Sequence, residues 1–351
     1  MAFLKIENVR IRGISACVPK QVDENNTFSL FDDNAYKNFV ATTGIERKRI
    51  AEDGVCTSDL CVAAAEKLIA DLHWNKENIS FLIFVTQTAD YVLPATSPIM
   101  QNRMGLSKDC FTLDISLGCS GWVYGMSVLS ALIGTFKNGK GLLLAGDTSH
   151  CSITDKSTYP LFGSAGTVTA LEYAENAEPL LFGLNSDGSG YKAIIINDGP
   201  LGSRNPVTSA SFEPVVRGEG VISNNNEVIL DGMDVFAFGI KRAPESVNKL
   251  IEAFYLEKET IDYFTFHQAN LFMNEQIRKK LKLPVEKVPY SLKDFGNTSS
   301  ASIPLTMVTQ LKEELETKPL KHIACGFGVG LSWGSIYFNT YKIVCSELIE
   351  I

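Results

Sequence analysis

The eight cysteines of the chain include no CxxC pair, and Cys56 and Cys61, the closest two, have no ligand set of zinc type around them. That absence leaves a zinc module without support. Several of the thiols lie instead in strand-like apolar runs, which suits free buried cysteines in a reducing cytoplasm. No apolar run reaches the roughly 18 residues that a membrane span needs. The amino terminus, MAFLKIENVRIRGISACVP, alternates like a strand and lacks the continuous apolar core of a signal peptide. Positive charge is not in excess either: 32 Lys and Arg face 40 Asp and Glu, for a net charge of -8. Such a balance gives no footprint for nucleic acid or an anionic membrane, although it leaves room for a local basic patch. What is present is ordinary for a soluble globular protein, 45% apolar and 21% charged over 351 residues. That length can bury a large core and predicts two domains or one duplicated domain.

The stretch from Phe111 to Ile133, FTLDISLGCSGWVYGMSVLSALI, organises the rest. Phe111 to Ile115 reads as a buried strand, Ser116 to Gly121 as a tight turn, and the apolar spacing from Trp122 onward as a helix. Cys119 therefore sits where a strand ends and a helix begins. Exposed N–H groups and the helix dipole there predict a lowered thiol pKa and a nucleophilic thiolate. A cysteine with apolar neighbours is equally what a buried, inert thiol looks like, so the remaining chain has to decide.

Strands are predicted at Lys5 to Val18, Ile79 to Thr86, Gly141 to Gly146, Ile261 to Phe266, His322 to Cys325 and Ser335 to Val344. Helices are predicted at Ser58 to Leu72, Met233 to Phe254, Glu275 to Leu281 and Ile303 to Leu315. Asp23 to Phe39 reads as helix or loop, and Leu180 to Pro206 as an irregular Gly-rich connection. Val288 to Asn297 reads as a strand entering a second turn. TGIERKRI (43–50) ends in a basic cluster that is either a solvated face or a binding surface. A duplication runs through this order. ENISFLIFVTQTA (77–89) parallels KETIDYFTFHQAN (258–270), and the Cys119 unit parallels VPYSLKDFGNTSSASIPLTMVTQL. Gln87 and Cys119 are 32 residues apart, Gln268 and Asn297 29. Two α/β halves follow, 1–180 with Cys119 and 181–351 with His267 and Asn297, and a pseudo-dyad would bring Cys119 and Asn297 together.

His267 follows a strand in FTFHQAN, where a histidine can also be a satisfied core residue. Asn297 precedes Thr298 and reads equally well as a helix N-cap. Together with Cys119 they form the set that thioester chemistry needs: a nucleophile, and two donors for a thioester oxygen that becomes an enolate. The turn Gly326 to Gly330 can bring its backbone N–H groups close to an oxyanion. No metal or other cofactor is expected.

These residues resemble the beta-ketoacyl-ACP synthase III family of the thiolase superfamily. The resemblance spans nearly the whole chain through TGIERKRI (43–50), DISLGCSGW (114–122), HQAN (267–270), GNTSSAS (296–302) and GFGVGLSWG (326–334). It implies a five-layered α-β-α-β-α fold of two pseudo-symmetric halves, present as a homodimer. It implies ping-pong chemistry: Cys119 takes an acyl group from an acyl-CoA or acyl-ACP donor, malonyl-ACP loses carbon dioxide, and His267 and Asn297 hold the enolate. The backbone N–H groups of Cys119 and Val329 are the implied oxyanion donors. Leu93 takes the place that reaches across the dimer to floor the acyl pocket, and Trp122 is expected to shape it. Arg278, Lys279 and Lys280 match part of the basic surface for acyl carrier protein.

The chain also departs from the family. The Trp and Arg that grip adenine become Asn38 and Thr42, a third Arg becomes Lys156, Phe272 stands where an Arg docks the carrier, and Ser164 replaces the Asp of FGDGAG. These changes leave the donor open between CoA and carrier protein, and the pathway between housekeeping and specialised. Two other outcomes stay in view: transfer of the acyl group to an amine or hydroxyl without decarboxylation, and a non-catalytic partner subunit. A serine hydrolase is disfavoured because GCSGW has Trp122 where G-x-S-x-G needs Gly. A nucleotide site at GFGVG is disfavoured because a strand, not a helix, follows.

Overall fold

The structure, a computed structural model, describes residues 1–148, 151–217 and 221–351. Two sheets carry the duplication. In the first, the order is Val344–Cys345, Val9–Val18, Ala165–Tyr173, Lys140–Asp147, Phe81–Val85 and Phe111–Ile115, with Ile349–Glu350 also on Val9–Val18. In the second it is Ala2–Ile6, Leu180–Ser186, Ser332–Tyr341, Pro319–Gly328 and Tyr263–Phe266. The pairing senses repeat. Lys140–Asp147 runs parallel to Phe81–Val85 and antiparallel to Ala165–Tyr173. Pro319–Gly328 likewise runs parallel to Tyr263–Phe266 and antiparallel to Ser332–Tyr341. The terminal strands are exchanged, since Ala2–Ile6 pairs in the second sheet and Val344–Cys345 and Ile349–Glu350 in the first.

Five layers follow from which faces are apolar. Helices Gly121–Gly134 and Ser302–Gln310 are buried between the sheets, where Trp122, Met126, Leu129, Leu305 and Met307 share one core with Ile83 and Leu143 of the first sheet and Phe182 and Phe338 of the second. Helix Thr57–Asp71 covers the outer face of the first sheet through Leu60, Ala64 and Leu68. Helices Gly232–Ala253 and Leu271–Lys280 cover the second through Val247, Leu250, Met273 and Ile277. A residue at 166 larger than glycine would put its Cβ 2.5 Å from the backbone N of Cys61, so Gly166 lets the outer helix lie directly on the sheet.

Four expectations need correction. Phe111–Ile115 is a strand but not a buried one: it is the edge of its sheet, and Phe111 and Leu113 remain 46% and 38% exposed. An apolar run in a sequence does not distinguish a central strand from an edge awaiting a partner. Leu180–Ser186 is a core strand rather than an irregular connection, its Leu180 and Phe182 buried despite the flanking Gly and Asn. No strand forms before the second turn; Leu292–Phe295 is a short helix, so the edge strand of the first half has no counterpart. Trp122 points into the core between the sheets, with its Nε1–H donating to Thr169 Oγ1 at 3.0 Å and its ring against Phe338. It is 1% exposed and is not among the residues that line the cavity beside Cys119.

Trp122→Ala is expected to cost about 3–5 kcal/mol of stability, the usual range for emptying a buried aromatic site. Urea unfolding of both proteins measures it; a loss below about 1 kcal/mol would contradict this packing.

Candidate active site

The turn after Phe111–Ile115 closes when Gly121 N–H donates to Gly118 O at 2.7 Å, and helix Gly121–Gly134 begins immediately. Cys119 is left 9% exposed at the wall of a cavity of about 500 Å³. The second half's glycine turn lies against it. A Cβ at Gly328 would stand 2.6 Å from the Cys119 Cβ and 2.8 Å from its sulfur, so only glycine permits this approach. In that setting the backbone N–H groups of Val329 and of Cys119 itself favour the thiolate.

His267 leaves strand Tyr263–Phe266 with its backbone N–H on Cys325 O at 2.9 Å. Its Nδ1 is 2.8 Å from Ser302 Oγ, which also accepts from Gln268 N–H at 3.3 Å. The Ser302 hydrogen is then free for Nδ1, which fits a ring proton on Nε2. Burial pushes the imidazole down to about 3, against the opposing pull of the Ser299 carbonyl. His267 is therefore neutral around pH 7 and a hydrogen-bond donor without being a cation.

Asn297 joins the halves through backbone: its N–H donates to Leu161 O at 2.9 Å, and its carbonyl accepts from Gly163 N–H at 3.1 Å. Its Oδ1 accepts from Ser299 N–H at 2.9 Å. The N-cap reading is thus half right, because the side chain caps a local turn. With Oδ1 occupied, the Nδ2 donor is what it offers the cavity that it lines.

Two residues absent from the sequence reading complete the centre. Ser299 has a φ of 49°, left-handed for a residue that is not glycine. It lines the same cavity as Cys119 and Asp147, and its hydroxyl favours the ionised form of each. Asp147, buried at the end of Lys140–Asp147, accepts from Gln87 N–H at 2.7 Å, Thr86 Oγ1 at 3.1 Å and Ser300 Oγ at 2.9 Å. Its sequence signal was weak, an aspartate after a buried strand, and Ser299 was one of several serines in GNTSSAS.

The predicted lowering of the thiol pKa is reversed. Burial, and next the charge of Asp147, push Cys119 up to about 11, against bonds from Val329 N–H and Ser299. A helix amino end favours the thiolate, but removing a charge from water costs more.

The other expected site residues divide. Arg278 is not free for a carrier: its guanidinium takes Glu275 at 2.8 and 2.7 Å and the Leu283 carbonyl at 2.7 Å. Lys279 and Lys280 are exposed on the same helix, Lys280 Nζ reaching Ile240 O at 3.0 Å. Lys156 is exposed and outside the cavity lining, as are Asn38 and Thr42 on helix Asp33–Thr43. Leu93, 80% exposed, projects from its own chain's surface. Phe272 stacks on Phe236 with ring centres 5.4 Å apart. The TGIERKRI cluster is structural: Lys48 is buried against Asp23 and the Tyr159 ring, Arg47 pairs with Glu24 and Asp294, and Arg49 with Glu350.

The chain is similar to known proteins over nearly its whole length. A family description, 3-oxoacyl-[acyl-carrier-protein (ACP)] synthase III, fits residues 113–188, and its C-terminal counterpart fits 251–340. The beta-ketoacyl-[acyl-carrier-protein] synthase III of Streptococcus agalactiae is 33% identical over 344 residues, 96% of this chain and 99% of that one. The chain belongs to the beta-ketoacyl-ACP synthase III family. The Bacillus pumilus synthase III is 32% identical across 94% of the chain and 98% of its own length. Among solved structures, a 3-oxoacyl-(acyl-carrier protein) synthase from Burkholderia xenovorans superposes with a TM-score of 0.92 at 37% identity, covering 100% of this chain and 99% of that one. The Pseudomonas aeruginosa synthase III superposes at 0.83 with 27% identity, covering 96% and 100%. The thiolase-like fold of this synthase III family is thus the fold of the chain.

A thiol that titrates near 11 predicts that iodoacetamide labelling mapped to Cys119 keeps rising from pH 8 to pH 10. A plateau reached below pH 8 would contradict a protonated resting thiol.

Proposed function

We propose that the protein is an acyltransferase that makes a 3-oxoacyl-ACP by decarboxylative condensation of a Cys119-bound acyl group with malonyl-ACP. The observation carrying this reading is that Cys119, His267 and Asn297 open onto one cavity together with the Gly328-Val329 turn. Cys119 attacks the donor thioester, and the tetrahedral oxygen takes the N–H groups of Cys119 and Val329. A well-placed donor of this kind is worth on the order of 10²–10³ in rate. Malonyl-ACP then enters. Neutral His267, through Nε2–H, and Asn297, through Nδ2, donate to its thioester oxygen. Charge released by loss of carbon dioxide collects on that oxygen, and the enolate carbon attacks the acyl-Cys119. Simple transfer to an amine or hydroxyl leaves Asn297 without a task.

Ile194, Ile195, Val228, Leu230, Val235 and Met273 line the cavity and suit an apolar acyl chain. The donor in this reading is carrier-bound, since Asn38 and Thr42 supply neither a stacking ring nor a guanidinium for adenine. Lys279 and Lys280 meet the acidic carrier. The working form is a homodimer. The exposed apolar edge Phe111–Ile115 has unpaired backbone for a second copy, and exposed Leu93 is the residue assigned to that copy's cavity. Among the described residues no helix is long and apolar enough to cross a membrane, and the eight thiols are unbridged, which suits the cytoplasm.

Intact-protein mass spectrometry with acyl-CoA and acyl-ACP donors tests the first step. An acyl mass gain in the wild type and none in Cys119→Ala is expected, with acyl-ACP the better donor; equal gain in both proteins would refute the nucleophile. Asn297→Ala is expected to acylate within about three-fold of wild type while condensation falls about 100-fold or more. Equal loss of both steps would contradict the division of labour. Replacing Lys279 and Lys280 by Glu is expected to raise KM for malonyl-ACP more than it lowers kcat, and an unchanged KM would remove the docking assignment.

A further inference from the structure

We propose that Asp147 is the positioning residue of the His267 and Asn297 pair: its carboxylate ties the segment 297–302, which carries Asn297 and contacts the His267 ring, to the first half of the chain. The inference rests on the condensation reading, because it gives Asp147 a part in the step that this pair serves. Its starting point is a group that the condensation chemistry leaves without a role. Asp147 lines the cavity at 7% exposure, and among the described residues its hydrogen-bond donors are hydroxyls and backbone N–H groups rather than a cation. Burying a carboxylate is costly unless hydrogen bonds compensate it.

The two carboxylate oxygens serve different halves. Oδ1 accepts from Gln87 N–H at 2.7 Å, Thr86 Oγ1 at 3.1 Å and Thr88 Oγ1 at 3.5 Å, all just beyond strand Phe81–Val85. That strand pairs with Lys140–Asp147 in the first sheet, so these bonds fix the carboxylate on its own half. Oδ2 accepts from Ser300 N–H at 3.2 Å and Ser300 Oγ at 2.9 Å, which belong to the other half.

Buried Ser300 lies within a segment that meets one member of the pair at each end. At the first end Asn297 Oδ1 accepts from Ser299 N–H at 2.9 Å, leaving Nδ2 for the cavity. At the other end Ser302 Oγ lies 2.8 Å from His267 Nδ1. The first half already holds the Asn297 backbone through Leu161 O at 2.9 Å and Gly163 N–H at 3.1 Å. Asp147 adds a second attachment further along. Two attachments fix the direction of the segment, where one would leave it free to pivot.

A carboxylate can make this tie and a carboxamide cannot. Each Asp147 oxygen faces a backbone N–H, and such a group only donates. Asparagine offers one oxygen, so one of the two N–H groups would meet an NH2 and lose its acceptor. Gln87 N–H makes the shorter bond, so the loss falls on Ser300. Cys119 belongs to the turn of its own half, outside the segment, and its acylation does not depend on the tie.

The test measures acylation of Cys119 and condensation of the acyl-enzyme with malonyl-ACP separately in wild type, Asp147→Asn and Ser300→Ala. Condensation kcat is expected to fall about 100-fold in Asp147→Asn and about 10-fold in Ser300→Ala, which keeps its N–H, since displacing a reacting group by about 1 Å costs up to that order. KM for malonyl-ACP and the acylation rate are expected to stay within about three-fold of wild type, a split that general loosening of the fold would not give. Condensation within about three-fold of wild type in Asp147→Asn, or acylation falling in parallel with condensation, overturns the assignment. If Asp147→Asn does not fold, Ser300→Ala decides by the same split. Crystal structures of wild type and the folded variant read the claim without substrate: a shift of the Asn297 amide with Cys119 in place supports it, and an unmoved segment 297–302 overturns it. A wild type that acylates but does not condense counts against the condensation reading, and the crystal comparison then decides the positioning role on its own.

Discussion

The site depends on one residue in the left-handed region. Ser299, at φ 49°, turns its N–H to Asn297 Oδ1 and lines one cavity with Cys119, Asp147, His267 and Asn297. A conformation that a serine adopts at some cost persists only where its surroundings over-determine it, and here cavity-lining residues from both halves surround it. The pseudo-dyad makes the meeting possible. Two buried helices open toward each other between the sheets, one preceded by Cys119 and the other by the Asn297 turn. Gly328, without a Cβ, lets the third turn close over the sulfur.

Desolvation sets the charge states of this junction. It keeps His267 neutral and Cys119 protonated and acts on Asp147 in the same sense, toward the uncharged form. Buried neutral donors stabilise charge that appears during reaction without having been spent on a resting ion. In the proposed reaction the same burial means that the Cys119 thiol loses its proton during attack rather than before it.

Much of this was legible in the chain. Strand, turn and helix around Cys119, the matching order around Asn297, and His267 at a strand's exit were readable because short-range pattern dictates them. What escaped depends on partners distant in sequence. Phe111 and Leu113 read as core because an edge strand and a central strand share a composition. Leu180–Ser186 was hidden by Gly183 and Asn185, which its neighbours in the second sheet tolerate. Trp122 reads as a pocket residue by adjacency to Cys119, yet helical rotation turns it into the core between the sheets. Arg278 was misread for a local reason that was available, since Glu275 lies three positions earlier on the same helix. Lys48 drew notice as one of a surface cluster and is instead among the largest fully buried side chains. Asp147 and Ser299 carry no motif of their own, and only the folded chain brings them to the sulfur.

The central claim is that a Cys119-bound acyl group is extended by decarboxylative condensation at this junction. It is tested most directly by isolating the acyl-enzyme and chasing it in a single turnover with malonyl-ACP. The account predicts loss of the acyl mass from Cys119 together with one equivalent each of carbon dioxide and a 3-oxoacyl-ACP. An acyl-enzyme that persists in malonyl-ACP but discharges to an amine or hydroxyl acceptor would contradict it.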